Sequence, residues 1–161
     1  MNILVTGGAG FIGSAVCRHL IETTDAQITN IDTLTYAGSV ASLWEISREP
    51  RHRLVRANIC DMAAIGRIFE ETRPDAVMHL AAESHVDRSI NGARAFIDTN
   101  VVGTFNLLEA SRRHWVTLPP DAKARFRFVH VSTDELYGTL GPQGAFTESS
   151  RYDPSSPYSA T

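Results

Sequence analysis

The stretch from Asn2 to Glu22 restricts the fold more than any other. An apolar, β-branched run, NILVT, passes through GGAG directly into FIGSAVCRHLIE. This pattern predicts a buried strand over Asn2–Thr6 and a helix over Phe11–Glu22, with Ile12, Ala15, Val16, His19 and Leu20 near one stripe. Gly7, Gly10 and Gly13 are spaced as G-x-x-G-x-x-G. Between a strand and a helix each glycine has a physical task. Gly7 permits a tight turn, Gly10 lets backbone N–H groups approach a pyrophosphate with no Cβ in the way, and Gly13 lets the helix pack close to the strand. The start of that helix offers unpaired N–H donors and a positive dipole end to phosphates.

The same alternation runs on. Strands are expected over Gln27–Asp32, His52–Ala57, Ala76–Ala81 and Phe126–Ser132. Helices are expected over Ser39–Ser47, from an Asp61 N-cap to Thr72, and over Ala93–Trp115. Thr117–Lys123 reads as a Pro-containing loop, and beyond Tyr137 the regular pattern fades. Strands separated by helices imply crossover connections, so the fold class is α/β with a doubly wound, Rossmann-type parallel sheet. There is no internal repeat, and residues 1–161 read as a single dinucleotide-binding domain.

Composition narrows the partners. With 43% hydrophobic and 20% charged residues, the chain belongs with globular proteins and not with disordered ones. A net charge of −3 argues against nucleic acid as a partner. No window reaches the roughly 18 apolar residues of a membrane span. The N-terminus lacks the basic lead of a signal peptide. Cys17 and Cys60 read as buried or half-buried thiols, in keeping with a cytoplasmic location, and no Cys/His spacing suggests a metal.

In open parallel sheets ligands bind beyond the carboxyl ends of the strands, and the polar residues collect there. Asp32 ends the second strand, about 20 positions beyond Gly13, where an acidic residue accepts hydrogen bonds from an adenosine ribose. Its charge would repel a 2′-phosphate, favouring NAD over NADP. Asn58 ends the third strand, Glu83 and Ser84 follow the fourth, and Ser132, Thr133, Asp134 and Glu135 follow the fifth. The adjacent Asp134 and Glu135 read on local grounds either as a solvated loop or as a pair dividing acid and base work. His79 and His130, inside apolar strands, read as packed residues, and His85 is given no role.

TGGAGFIGS, DTLTYAG, HLAAESHVDRSI, TNVVGTFNLLEA, HVSTDELYG and PYSAT occur in order over nearly the whole chain. With these motifs the sequence resembles the N-terminal part of the dTDP-glucose 4,6-dehydratase family. That family is a branch of the extended short-chain dehydrogenase/reductases that act on nucleotide sugars. Thr133-Asp134-Glu135 is the discriminating piece, since epimerases and decarboxylases lack the Asp-Glu pair.

The resemblance implies a lyase with NAD as cofactor and a nucleotide sugar as substrate. Hydride leaves carbon 4 of the glucose, water is eliminated across carbons 5 and 6, and the hydride returns to carbon 6. By the same resemblance Tyr158 is the base at the 4-hydroxyl, Glu135 the base at carbon 5 and Asp134 the acid for the leaving hydroxyl. Thr133 and Ser84 would touch the sugar. Phe11, Ile12, Asp32, Thr33, Leu34, Thr35, Asn58, Ile59, Leu80, Ala81, Ala82, Glu83, Thr99 and Tyr158 match cofactor-contact positions, beside the three glycines. The full enzyme is expected to be a homodimer.

Three departures stand out. Asn58 replaces the usual Asp beside the adenine amino group, although its amide oxygen can still accept. Leu136 replaces Val. The family also has a Lys directly after the position of Thr161, and a C-terminal substrate domain. On this reading the domain is truncated near Thr161, the C-terminal substrate domain is absent, and the 161 residues alone are inactive. An unperturbed tyrosine ionises near pH 10, so Tyr158 without that Lys is a poor base. A dehydratase for CDP- or GDP-sugars, and a non-catalytic NAD-binding module, are the alternatives.

Overall fold

The computed structural model describes residues 1–161. Five strands, β1 (Asn2–Thr6), β2 (Gln27–Asp32), β3 (His52–Arg56), β4 (Ala76–His79) and β5 (Arg127–His130), form one sheet in the order β3-β2-β1-β4-β5. Every neighbouring pair is parallel. The chain winds outward from β1 to β3, then crosses back to β4, so the direction of winding switches between β1 and β4. A crevice opens at such a point beyond the carboxyl ends of the strands.

Alternate residues of the central strands feed two cores. On one face Ile3, Val5 and Ile28 pack with Cys17 and Ile21 of α1 (Phe11–Thr23), and with Leu43 and Ile46 of a 3₁₀ segment, Val40–Ile46. On the other, Leu4, Ile31 and Val77 pack with Ile65, Ile68 and Phe69 of α2 (Met62–Thr72) and with Leu107 and Ala110 of a later helix. The period of two in NILVT and QITNID divides side chains between these layers. Asp61 caps α2 through its side chain, which accepts from the Ala64 N–H at 2.9 Å.

Several expectations need correction. The buried face of α1 is Gly13, Ser14, Cys17 and Ile21, while Ile12, Ala15 and His19 face outward. The first turn of the helix points Gly13 and Ser14 inward because it lies close over the glycine loop, where bulk at Gly13 has no room, and Cys17 and Ile21 follow on the same face. The single helix over Ala93–Trp115 is three pieces: α4 (Ala93–Phe96), a π-helical stretch (Ile97–Gly103) and α5 (Thr104–Thr117), preceded by α3 (Val86–Asn91). Asn106 at the start of α5 is buried and its amide donates to the Ile59 carbonyl at 3.0 Å, while Gly103 lies against the Ile59 side chain. The Pro-containing loop holds a short helix, α6 (Pro120–Arg125), with Pro at its first turn, where a missing N–H costs nothing. β4 and β5 end earlier than expected.

Cys17 and Cys60 are both free. Burial pushes the Cys17 thiol up to about 12, so it stays protonated and inert. No helix is long and apolar enough to cross a membrane.

Candidate active site

The glycine loop sits at the switch point. Gly7 has φ +73°, and a Cβ there would lie 2.7 Å from the Ala81 backbone nitrogen. Only glycine tolerates both constraints. A Cβ at Gly13 would collide with the Gly7 carbonyl, so Gly13 permits close packing of α1 on the loop itself and not on the strand. Gly10 is the N-cap of α1 and provides no side-chain cap. The N–H groups of Phe11, Ile12 and Gly13 have no acceptor in the protein. Phe11 and Ile12 are exposed beside them. Three open donors at the positive end of a thirteen-residue helix fit a dinucleotide pyrophosphate.

Asp32 is buried at the end of β2, and its carboxylate is already engaged. One oxygen accepts from the Ala9 N–H at 2.9 Å and the other from the Leu34 N–H at 2.8 Å. Asp32 therefore ties the glycine loop to the β2 end and holds Leu34 in a left-handed conformation, φ +57°. Each oxygen keeps a second lone pair for a ribose hydroxyl. Thr33 is half-buried and Thr35 exposed in the same turn. Asn58 is exposed and accepts from the Cys60 N–H at 2.9 Å, whereas the Ile59 side chain is buried in the core and its carbonyl is taken by Asn106.

Leu80, Ala81, Ala82, Glu83 and Ser84 form the opposite wall. The Thr6 hydroxyl accepts from the Ala81 N–H at 3.2 Å and contacts His79 Nδ1 at 2.7 Å. His79 Nε2 lies 2.8 Å from the Thr104 hydroxyl. Burial first, and the neighbouring His130 second, lower the His79 pKa to about 4. His79 is thus the packed, neutral residue expected. His130 is not: it is exposed, because β5 is an edge strand.

Thr133, Asp134, Glu135 and Tyr158, the residues expected to carry chemistry, lie on two further segments. Thr133 accepts from the Glu135 N–H at 3.2 Å and caps a 3₁₀ turn, Asp134–Tyr137, just beyond β5. Asp134 and Glu135 are exposed, and their carboxylates make no hydrogen bond or ion pair. Tyr158 is half-buried, edge-on to Phe96 with ring centroids 6.3 Å apart. Asn100, in the π-helical stretch, accepts from the Glu83 N–H at 2.8 Å. It donates to the Glu83 carbonyl at 2.9 Å and to the Thr161 hydroxyl at 3.1 Å. Asn100 therefore joins the wall after β4 to the segment that carries Tyr158. Thr99 precedes it and is half-buried. No three His, Cys, Asp or Glu side chains gather where they could hold a metal ion.

The model of the GDP-mannose 4,6 dehydratase family matches residues 4–161. The chain belongs to this family. The dTDP-glucose 4,6-dehydratase of Neisseria meningitidis serogroup B is 59% identical over 161 residues, covering 99% of this chain and 45% of that protein. The Salmonella typhimurium dTDP-glucose 4,6-dehydratase is 57% identical over 170 residues, covering 100% and 47%. The structure of DesIV, a dTDP-glucose 4,6-dehydratase of Streptomyces venezuelae with NAD and TYD bound, superposes with a TM-score of 0.87. It is 44% identical and is matched over 99% of this chain and 48% of its own. A Thermus thermophilus UDP-glucose 4-epimerase in complex with NAD gives a TM-score of 0.84 at 30% identity, over 99% and 47%. The chain spans about half the length of the curated relatives it matches.

In this dehydratase-family chain, sequence reasoning missed several residues that shape the crevice. Asn30 is fully buried beneath Gly8, with both amide atoms unpaired. An Asn between Ile28 and Ile31 in the strand QITNID, paired with the double glycine, was the available signal. Asn100 was visible only as the polar residue in TNVVGTF. Tyr36 and Arg88, which meet over the crevice, gave no local signal, because they lie 52 positions apart and in different segments.

Proposed function

We propose that these residues belong to an NAD-dependent lyase that converts dTDP-glucose to dTDP-4-keto-6-deoxyglucose. The observation that carries the reading is the placement of Thr133-Asp134-Glu135 on the same sheet edge as a glycine loop whose helix N–H groups stand open. Bound NAD would supply a reversible hydride sink. The chain's own residues would do the rest. The N–H groups of Phe11, Ile12 and Gly13 would hold the pyrophosphate, and Asp32 the adenosine ribose. Tyr158 would take the proton of the 4-hydroxyl, Glu135 the proton on carbon 5, and Asp134 would protonate the departing 6-hydroxyl. Thr133 and Ser84 would orient the sugar.

Similarity to dTDP-glucose enzymes at 57–59% identity supports dTDP-glucose over CDP- or GDP-sugars. The 161 residues alone are expected to be inactive, since Asp134 and Glu135 stand exposed with no partner to hold them against a sugar. Formation of the 4-keto-6-deoxy product, with dTDP-glucose, CDP-glucose and GDP-mannose compared, tests the reading. Product from a CDP- or GDP-sugar in preference to dTDP-glucose overturns the substrate. Calorimetric titration with NAD and NADP tests the cofactor, and equal affinity for both overturns the role of Asp32.

A homodimer fits one further feature. Ile97, Val101, Phe105 and Leu108 are all exposed and recur at helical spacing through the π-helical stretch and α5. An apolar stripe of that kind is costly in water and matches a second copy of itself.

A further inference from the structure

The walls of the dinucleotide crevice are bridged. On one side the turn after β2 runs back over the glycine loop. The Ser39 N–H donates to the Ala9 carbonyl at 3.0 Å, and a Cβ at Gly10 would lie 3.7 Å from the Ala37 carbonyl. On the other side the segment after β4 touches Gly7 through Ala81. Tyr36 leaves the first wall, and its hydroxyl donates to Glu83 Oε2 of the second at 2.8 Å. Arg88 of α3 lays its guanidinium over the same ring, 3.8 Å from the centroid. Tyr36 is 55% exposed, so the bridge lies on the solvent side of the loop, across the mouth of the crevice and not beneath it.

We propose that Tyr36, held by Glu83 and Arg88, is a gate across the mouth of the dinucleotide crevice that slows both entry and exit of the cofactor. The proposal rests on the reading that this crevice holds NAD. Its logic is kinetic. The bridge is made wholly of contacts between protein groups, Tyr36 to Glu83 and Arg88 to the Tyr36 ring, and we take it as equally strong with the crevice filled or empty. A barrier present in both states changes rates and leaves affinity alone. Its contacts are exposed and singly weak, so the gate opens readily. The chemistry of the proposed reaction gives the gate a use. The hydride taken from carbon 4 must return to carbon 6 of the same sugar, so a cofactor that escaped in its reduced form would strand the intermediate.

The test is rapid-mixing fluorescence with NADH as the probe, on the chain and on its Tyr36→Phe and Arg88→Gln variants. Tyr36→Phe keeps the ring, and both positions are exposed, so the fold is retained. Tyr36→Phe is expected to raise association and dissociation rate constants together, by about fivefold for one lost solvent-exposed hydrogen bond of ordinary strength. The dissociation constant stays within about twofold. Arg88→Gln is expected to raise both by about threefold through loss of the stacked cation. Unchanged rates in both variants, or weaker binding with an unchanged association rate, overturn the gate and leave the cofactor reading standing. Failure of the unmodified chain to bind NADH or NAD overturns the cofactor reading and the gate with it.

Discussion

Replacing Asp32 with Ala should destabilise the protein before any cofactor is added. Its two carboxylate oxygens take the N–H groups of Ala9 and Leu34 at 2.9 and 2.8 Å. Ala9 is 1% exposed, so its N–H would lose its acceptor where water cannot replace it. Hydrogen bonds to a charged acceptor contribute about 1.5–3 kcal/mol each, and stranding a buried donor costs about 1–3 kcal/mol. Relief from burying the carboxylate offsets part of this, leaving a net loss of about 3 kcal/mol. Leu34 would also lose the contact that holds its positive φ. Equilibrium urea unfolding, followed by circular dichroism without dinucleotide, should show the midpoint falling by about 1.5 M at a slope of about 2 kcal/mol/M. Asp32→Asn should fall nearly as far, because its NH₂ group would face one of the two N–H donors. A carboxylate whose only task was to accept from a ribose would leave the ligand-free protein unchanged. A midpoint shift equivalent to less than about 0.5 kcal/mol in both variants would refute the structural role argued from these distances.

Three further outcomes follow from the same structure. His79 is held neutral, with its pKa lowered from 6.5 to about 4. The unfolded chain therefore takes up a proton that the folded one refuses. The stabilisation is fully present above about pH 6.5 and drains away as pH falls toward 4, amounting to about 3 kcal/mol. The difference in urea stability between the unaltered chain and His79→Gln should shrink by that amount over this window, and a constant difference would count against it. Gly66, in α2, faces open space, with nothing within 4 Å of the point a Cβ would occupy. Gly66→Ala should therefore stabilise by about 0.5–1 kcal/mol and raise Tm by a few degrees in calorimetry. Phe105→Lys, in the exposed stripe of α5, should shift sedimentation from dimer to monomer, and a dimer that survives it would place the interface elsewhere.

The strands and the glycine turn were legible because their signals are local and strong. NILVT carries a continuous apolar core of Ile3, Leu4 and Val5, QITNID carries Ile28 and Ile31 among β-favouring residues, and the burial these imply holds in both cores. Asp61 was legible as a cap because the side chain satisfies backbone donors a few residues away. The break in the long helix was not legible. Every residue of IDTNVVG can sit in an α-helix. The π-helical turn arises from contacts distant in sequence, with Ile59 against Gly103 and Asn100 against the Glu83 backbone. The inward face of α1 was misread for a related reason. Hydrophobicity marked Ile12 and Val16, but the close approach of the glycine loop turns Gly13 and Ser14 inward. Exposure of His130 depends on which strand lies at the edge, a property of the whole sheet.

The two halves of the site differ in how far they are built. On the cofactor side, buried and half-buried bonds fix the central walls: Asp32 to Ala9, Thr6 to Ala81, His79 between Thr6 and Thr104. Groups held this way keep their positions without a ligand, so little ordering is left to oppose binding. Among the residues proposed to meet a sugar, Thr133 has a hydrogen-bond partner and Tyr158 packs on Phe96, while Asp134 and Glu135 stand exposed without a partner. Catalysis needs both groups held against the reacting atoms, and neither has a partner that holds it. A substrate bound over this edge would supply that hold. Chemistry at Asp134 and Glu135 should therefore depend on closure over β5, whereas dinucleotide binding at the glycine loop should not. A variant that abolishes turnover while leaving NAD affinity intact is then to be sought around Thr133–Glu135, and one that loses both around Asp32.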